Sequence, residues 1–344
     1  MHYEINDTTD YHIYELETLG WELTLCNALD PEESPCRRIL KRNDSYGHLL
    51  YDYLGRFIPM HSLRKIIEIG GGYGYLTRDF MNRNNALEAT MLDVSPYLLQ
   101  KQRYILRETN AHFIQADIMD VQSRELQSFD LAILNENLGD LPTMVGIPRE
   151  AFALSQQDLD LPLKEVRTMF DRYAINPPEG ERGNVNIGAL KVLEKLCHAG
   201  IPYIFMSEHS CEARAPEPWR RFMQIEPTGN PERIRLRGHD EYTIRFSDLE
   251  KMSRAFQYQI IRGPFVDFLA FDFSEQVGYI LRTRFSQKDE HEVIRHFVED
   301  LYKYEYLILY TTRPRICRHY QPGSSEICSQ FKHHEQSIVH EENK

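Results

Sequence analysis

Along the chain the spacing of apolar residues changes character twice. Up to about residue 60 the apolar positions of WELTLCNAL and SYGHLLYDYLGRFI fall three and four apart, with Pro31 and Pro35 interrupting between them, which predicts a helical N-terminal cap over 1–63. From Lys65 the texture is short apolar runs of strand length, KIIEI, EATMLDV, HFIQAD and FDLAILN, separated by the helical stretches LTRDFMNR and PYLLQKQRYILRET. Strands and helices alternating at this interval predict an α/β fold with a doubly wound, mostly parallel sheet, its first half over 64–147.

After Pro142 and Pro148 the alternation lapses. QQDLDLPLKEVRTMFDRYAI, ended by Pro177 and Pro178, predicts a helical insert over 148–185. Insertions at the carboxyl end of a strand shape binding sites, so this one is expected to form a lid over an acceptor. Alternation resumes over 186–285 with helix IGALKVLEKLCHAG, strand IPYIFMSE, helix FSDLEKMSRAFQ and two further strands, roughly QIIRGPFVDFLAF and QVGYILRTRF. A C-terminal stretch over 286–344 holds the helix DEHEVIRHFVEDLYKY, a short apolar run LILY and a polar tail.

Composition narrows the function classes. The 344 residues, 42% hydrophobic and 27% charged, suit a soluble folded protein with a sizeable core. A net charge of −12 speaks against nucleic acid as a partner of the whole surface. The six arginines and three glutamates of 213–238 read as a solvated connector. MHYEINDTTDYHIYELE has neither a basic start nor an apolar core, and no apolar run approaches membrane-spanning length. Six cysteines without CxxC spacing read as free thiols, and a cytoplasmic location is expected. Cys317, His319, Cys328, His333 and His334 match no zinc-ligand spacing, so no metal is expected.

Candidate chemistry gathers at the strand ends. EIGGGYGY, Glu68 to Tyr75, is a glycine-rich turn between a buried strand and a helix, at the edge where doubly wound sheets bind ligands. Tyr75 stands where the dinucleotide fingerprint needs its third glycine, which disfavours a nicotinamide dinucleotide. Asp93 ends the second strand, where a carboxylate can accept from both ribose hydroxyls, and Asp117 with Ile118 ends the third, suited to an adenine amine and ring. Taken singly, each acid is an ordinary helix cap or turn residue.

In order and spacing, EIGGGYG, LDVSP, QAD and FDLAILNENLGDLP resemble the successive motifs of class I S-adenosylmethionine-dependent methyltransferases, over roughly 64–142. The resemblance implies a seven-stranded Rossmann-like sheet and S-adenosyl-L-methionine as cofactor. It further implies that Gly70, Gly72 and Gly74 border the methionine part, Glu68 supports their loop, Asp93 holds the ribose and Asp117 with Ile118 the adenine. Asn135, Glu136, Leu141 and Pro142 are similar, in register, to the NEFFDALP-type segment of the MidA-like family, which includes protein arginine methyltransferases. Asn137 and Leu138 replace that segment's aromatics, and its acid is shifted to Asp140. The resemblance implies that Asn135 lies by the methyl group, with Glu136 and then Asp140 as the candidate catalytic carboxylates.

The expected reaction is methyl transfer to an oxygen or nitrogen of a small metabolite. A protein arginine is the alternative acceptor, and a non-catalytic cofactor-binding assembly protein is a further reading. Tyr46 and Gly47 in the cap, and His209 and Cys211 after the fifth strand, are weaker candidates for the site. If Asp93 holds the ribose, Asp93→Ala should weaken S-adenosylmethionine binding by about 1.5–3 kcal/mol in a calorimetric titration, the range for lost hydrogen bonds to a charged group.

Overall fold

The computed structural model describes residues 2–17, 24–217, 219–283 and 288–311. Seven of its strands form the central sheet: β2 (Lys65–Ile69), β3 (Glu88–Asp93), β4 (Ala111–Gln115), β5 (Leu131–Asn135), β8 (Tyr203–His209), β11 (Gln259–Pro264) and β12 (Tyr304–Tyr310). Their order is β11-β12-β8-β5-β2-β3-β4, and β12 alone runs antiparallel to its neighbours. The chain steps outward from β2 to β3 and β4, then crosses back to lay β5 on the other side of β2. Two loops therefore part at the carboxyl ends of β2 and β5, opening a crevice where the strand order reverses.

Helices cover both faces. On one face α3 (Tyr46–Leu54), α4 (Tyr75–Arg83), α9 (Glu275–Arg282) and α10 (Asp289–Lys303) bury Leu50, Leu54, Phe80, Val277, Phe297 and Leu301. On the other α6 (Leu161–Tyr173), α7 (Ile187–Ala199) and α8 (Phe246–Ala255) bury Val166, Phe170, Leu190, Leu193, Leu249 and Met252. Between strands β3 and β4 runs α5 (Pro96–Ile105), started by Pro96 in its first turn and by Ser95, whose Oγ accepts from the Leu98 amide at 3.3 Å.

Three expectations are corrected. The N-terminal cap is only partly helical. β1 (Glu4–Asn6) pairs antiparallel with β6 (Thr143–Pro148), which pairs in turn with β7 (Arg182–Val185) as a second sheet. Of the described residues of WELTLCNAL four form a helix, α1 (Leu25–Ala28), and α2 (Pro35–Arg38) is equally short. A strand of three residues is too short to show a period of two.

The second correction concerns 148–185, which ends in a strand and sends its helix inward. α6 packs Leu163, Val166, Met169, Phe170 and Tyr173 into the core rather than over the ligand edge. Its apolar stripe at three and four spacing is what a core-facing helix requires. The third correction is QVGYILR, which forms α9 and not a strand, started by Ser274 accepting from the Val277 amide at 3.2 Å. Its buried Val277, Ile280 and Leu281 keep a helical spacing, and the seventh strand is the later run YEYLILY.

The arginine-rich connector contains a hairpin of β9 (Arg233–Arg235) and β10 (Asp240–Tyr242), joined across by an Arg233–Asp240 ion pair. Among the described residues no helix is long and apolar enough to cross a membrane. Cys317, His319, Cys328, His333 and His334 lie outside the described residues. Because α6 is a core helix, Phe170→Ala should lower stability by about 3–5 kcal/mol in denaturant unfolding. A loss below about 1 kcal/mol would return α6 to the role of a detachable lid.

Candidate active site

The crevice is one pocket of about 1020 Å³, space open to solvent included. Glu68, Gly70, Gly72, Asp93, Asp117, Ile118, Asn135, Glu136 and Asp140 all line it. Gly74 does not. It starts α4 with a φ of 88° and packs on Gln102 and Leu106.

The floor is the turn after β2. Gly70 has a φ of 65°, and a Cβ there would sit 2.3 Å from Asn137 Nδ2, which itself donates to the Ile69 carbonyl at 2.5 Å. Asn137, found in place of an aromatic of the resembled segment, thus ties the loop after β5 to the glycine turn. Gln102 makes the second tie, donating from Nε2 to the Gly72 carbonyl at 2.9 Å and to Asp93 Oδ2 at 3.0 Å.

Asp93 also accepts from the Ser95 amide at 2.9 Å, and burial raises its pKa to about 6 despite both donors. Glu68 is buried behind the turn and accepts from Thr77 Oγ1 at 2.5 Å. Burial pushes its pKa up to about 8, the Thr77 hydroxyl pulling it back and the Asp93 charge adding to the rise. Asp117 accepts from the Met119 amide at 2.7 Å, and partial burial raises its pKa as well.

Glu136 has a left-handed backbone, φ 55°, fixed by its amide donating to the Ser207 carbonyl at 3.1 Å. Its carboxylate reaches across the pocket to the first turn of α1, accepting from the Leu25 amide at 2.8 Å and the Cys26 amide at 3.4 Å. Asn135 Nδ2 donates to it at 3.1 Å, while Asn135 Oδ1 accepts from Tyr46 Oη at 2.5 Å and Ser207 Oγ at 2.9 Å. Burial lifts the Glu136 pKa to about 7 against the Leu25 amide, with the charge of Glu208 adding. Tyr46 is therefore a buried support behind the site. Gly47 lets Asp79 approach, since a Cβ would lie 2.6 Å from the Asp79 Cβ. Neither lines the pocket.

The roof comes from the N-terminal residues. Thr8, Thr9 and His12, with Thr24, Cys26 and Asn27, line the pocket, and no residue of 148–185 does so among the described residues. Thr8 Oγ1 donates to the Asp140 carbonyl at 2.9 Å, and His12 Nε2 meets Asp140 Oδ1 at 2.9 Å. Asp140 is thus the anchor of the roof, and nothing in the polar opening sequence signalled it. His209 and Cys211 do not line the pocket. His209 packs tilted against Tyr304, ring centroids 3.7 Å apart; burial works against its charge, but Asp300 and Glu208 outweigh it and raise its pKa to about 9.

Five carboxyl groups line this pocket and, among the described residues, no lysine or arginine does. The lining therefore suits a ligand with positive charge and gives a pyrophosphate no side-chain cation to pair with.

Residues 67–156 match the model of a family described as a methyltransferase domain. Among solved structures, the chain is similar to an uncharacterized superfamily protein from Burkholderia thailandensis, 12% identical over 88% of this chain and 86% of that one, with a TM-score of 0.53. It is also similar to a second protein from that organism, solved bound to S-adenosyl-homocysteine, 13% identical over 77% and 76% of the two chains, with a TM-score of 0.49. A third is the magnesium protoporphyrin IX methyltransferase from Synechocystis with bound S-adenosyl-homocysteine, 11% identical over 77% and 84%, with a TM-score of 0.38. The first of these similarities shows the fold. No curated protein matches the chain in sequence.

The raised pKa values carry a sign. Glu68 holds its proton in the folded chain up to about pH 8, whereas an unfolded glutamate sheds it near 4.5, so folding takes up a proton in between. That contribution to stability is present below 4.5 and is lost as pH rises to about 8. Glu68→Gln removes the loss. Its unfolding free energy, measured by denaturant in the absence of ligand, should gain on wild type across that window and stay parallel above it. Parallel curves throughout would mean that Glu68 ionises normally in the folded chain.

Proposed function

We propose that this class I S-adenosylmethionine-dependent methyltransferase passes its methyl group to an oxygen or nitrogen nucleophile of a small metabolite, within the pocket roofed by its N-terminal segment. The reading rests on one observation above the rest: the pocket beside Asn135 and Glu136 is partly covered by Thr8, Thr9, His12 and residues 24–27, which Glu136 and Asp140 hold in place. A covered site favours an acceptor small enough to be enclosed over a groove that admits a polypeptide side chain.

The donor site follows from the strand ends. Asp93 is offered to the ribose hydroxyls, Asp117 and Ile118 to the adenine, and the turn at Gly70 and Gly72 to the methionine part, with Glu68 and Gly74 holding the turn from behind. Five carboxyl groups without a cation complement a ligand bearing a sulfonium and an ammonium. Once the methyl leaves, the sulfur is neutral and the product is held less strongly, which helps its release.

Transfer moves the methyl from sulfur to the nucleophile, whose proton must then leave. Glu136 lines the pocket at the end of β5, with a pKa of about 7 and one lone pair of Oε2 beyond its bond to Leu25. A carboxylate so poised can take that proton near neutral pH. Asp140, already engaged by Thr8 and His12, is the second candidate. Most of the rate comes from alignment of the two reactants and exclusion of water.

The test is transfer of labelled methyl from S-adenosylmethionine to a pool of small metabolites and, in parallel, to arginine-containing peptides. Label in metabolites and none in peptides supports the reading; peptide label alone replaces it with the arginine acceptor. With the acceptor in hand, wild-type kcat/KM for S-adenosylmethionine, which reports the ligand-free enzyme, should rise with pH through about 7. Glu136→Gln should lose that rise and fall by roughly 10²-fold, with cofactor affinity changed by no more than a few-fold. An unchanged profile would remove Glu136 from the proton transfer.

A further inference from the structure

Three segments far apart in the sequence bring one side chain each to the mouth of the pocket. His12 belongs to a single π-helical turn, Tyr11–Glu15, after β1, Asp140 to the loop between β5 and β6, and His239 to the tip of the β9–β10 hairpin. His12 Nε2 lies 2.9 Å and His239 Nε2 3.6 Å from the same oxygen, Asp140 Oδ1, and all three ligand atoms fall within 4.8 Å of one another. Glu241 Oε1 stands 3.3 Å from His239 Nε2.

We propose that His12, Asp140 and His239 form a binding site for a divalent first-row transition ion. Two imidazoles and a carboxylate are a donor set for such ions and a poor one for magnesium or calcium, which take oxygen ligands. At metal–ligand distances of about 2.0–2.2 Å, tetrahedral donors stand roughly 3.3 Å apart, and the separations of 2.9 and 3.6 Å bracket that value. The ligand atoms of the two imidazoles lie within 4.8 Å of each other and close on the ion by side-chain rotation.

The surroundings hold the rings in place. The His239 side chain is 6% exposed, its ring stacks on Tyr11 at 4.2 Å between centroids, and its buried Nδ1 has no hydrogen-bond partner, so its polar attachment is at Nε2. Gly238, at a φ of 97°, leaves room for the Tyr11 ring, which a Cβ would meet at 2.5 Å. The rings of His12 and His239 stand at 69° to each other, approaching Asp140 from different sides.

A bound ion would staple the N-terminal roof to the hairpin and to the loop after β5. His12 and Asp140 line the pocket whereas His239 does not, so the remaining coordination positions open toward the pocket. An acceptor oxygen entering there would find a Lewis acid. That last use rests on the proposed transfer reaction, but binding of the ion does not, and the two are tested separately.

The experiment is a calorimetric titration of the chelator-treated full chain with zinc chloride, accompanied by visible spectroscopy with cobalt(II). One equivalent should bind, and His239→Ala and His12→Gln should each weaken binding by 100-fold or more and abolish the cobalt spectrum. Cys317→Ser combined with Cys328→Ser should leave it unchanged. Circular dichroism checks each fold, and if His239→Ala does not fold, His12→Gln, which alters the roof alone, decides. No saturable equivalent, equal affinity in the histidine variants, or loss only in the cysteine double variant would overturn the site. Zinc binding with no methyl transfer to any acceptor would uphold the site while refuting the proposed function.

Discussion

Carboxyl groups gathered on a pocket that no lysine or arginine lines, among the described residues, are the constraint on which the ligand edge depends. Glu68, Asp93 and Glu136 sit where burial raises each pKa into the range from about 6 to 8, and backbone amides, a threonine hydroxyl and glutamine and asparagine amides are what hold them. Burying acids in this way costs stability unless hydrogen bonds or an opposite charge offset it. For Glu68, Asp93 and Glu136 the hydrogen bonds come from the chain, and a full opposite charge inside the pocket comes with the methyl donor. The same arrangement that makes the empty pocket unfavourable makes it selective for a cation over a pyrophosphate.

Each carboxyl group is also a tie between segments, so the electrostatics and the architecture are one problem. Asp93 is joined through Gln102 to the Gly72 carbonyl, Glu136 to the first turn of α1, and Asp140 to Thr8 and His12. The central sheet supplies the edge on which these groups stand, and Asp140 and Glu136 tie Thr8, His12 and the first turn of α1 to it. Roof and floor are therefore coupled: a change in the ionisation of Glu136 acts on the packing of α1 as well as on the pocket.

The sheet and its acids were legible because their signals are local. Apolar runs ended by Glu68, Asp93, Asp117 and Asn135 marked the strand ends directly, and all four residues line the pocket. The roof was not legible, since it depends on Glu4, Ile5 and Asn6 pairing with Val145, Met144 and Thr143, a contact of high sequence separation with no pattern of its own. The helix of 148–185 was legible as a helix but not as a core element, because an amphipathic stripe does not say which partner it faces. QVGYILRTRF misled for a related reason: a short apolar run reads equally as strand or helix, and Ser274 at its start decides. His239 carried no sequence signal, being brought to Asp140 only by the hairpin.

The central claim is that a cationic methyl donor neutralises carboxyl groups that the empty protein holds partly protonated. Its most direct measurement is the number of protons released on binding, from calorimetric titrations of S-adenosylmethionine at pH 6.5 in two buffers of different ionisation heat. The pocket should release protons as Asp93 and Glu136 ionise beside the ligand, and release fewer with S-adenosyl-homocysteine, which lacks the sulfonium charge. Binding of the two ligands with the same proton release, or no binding of S-adenosylmethionine by the folded chain, would contradict the account.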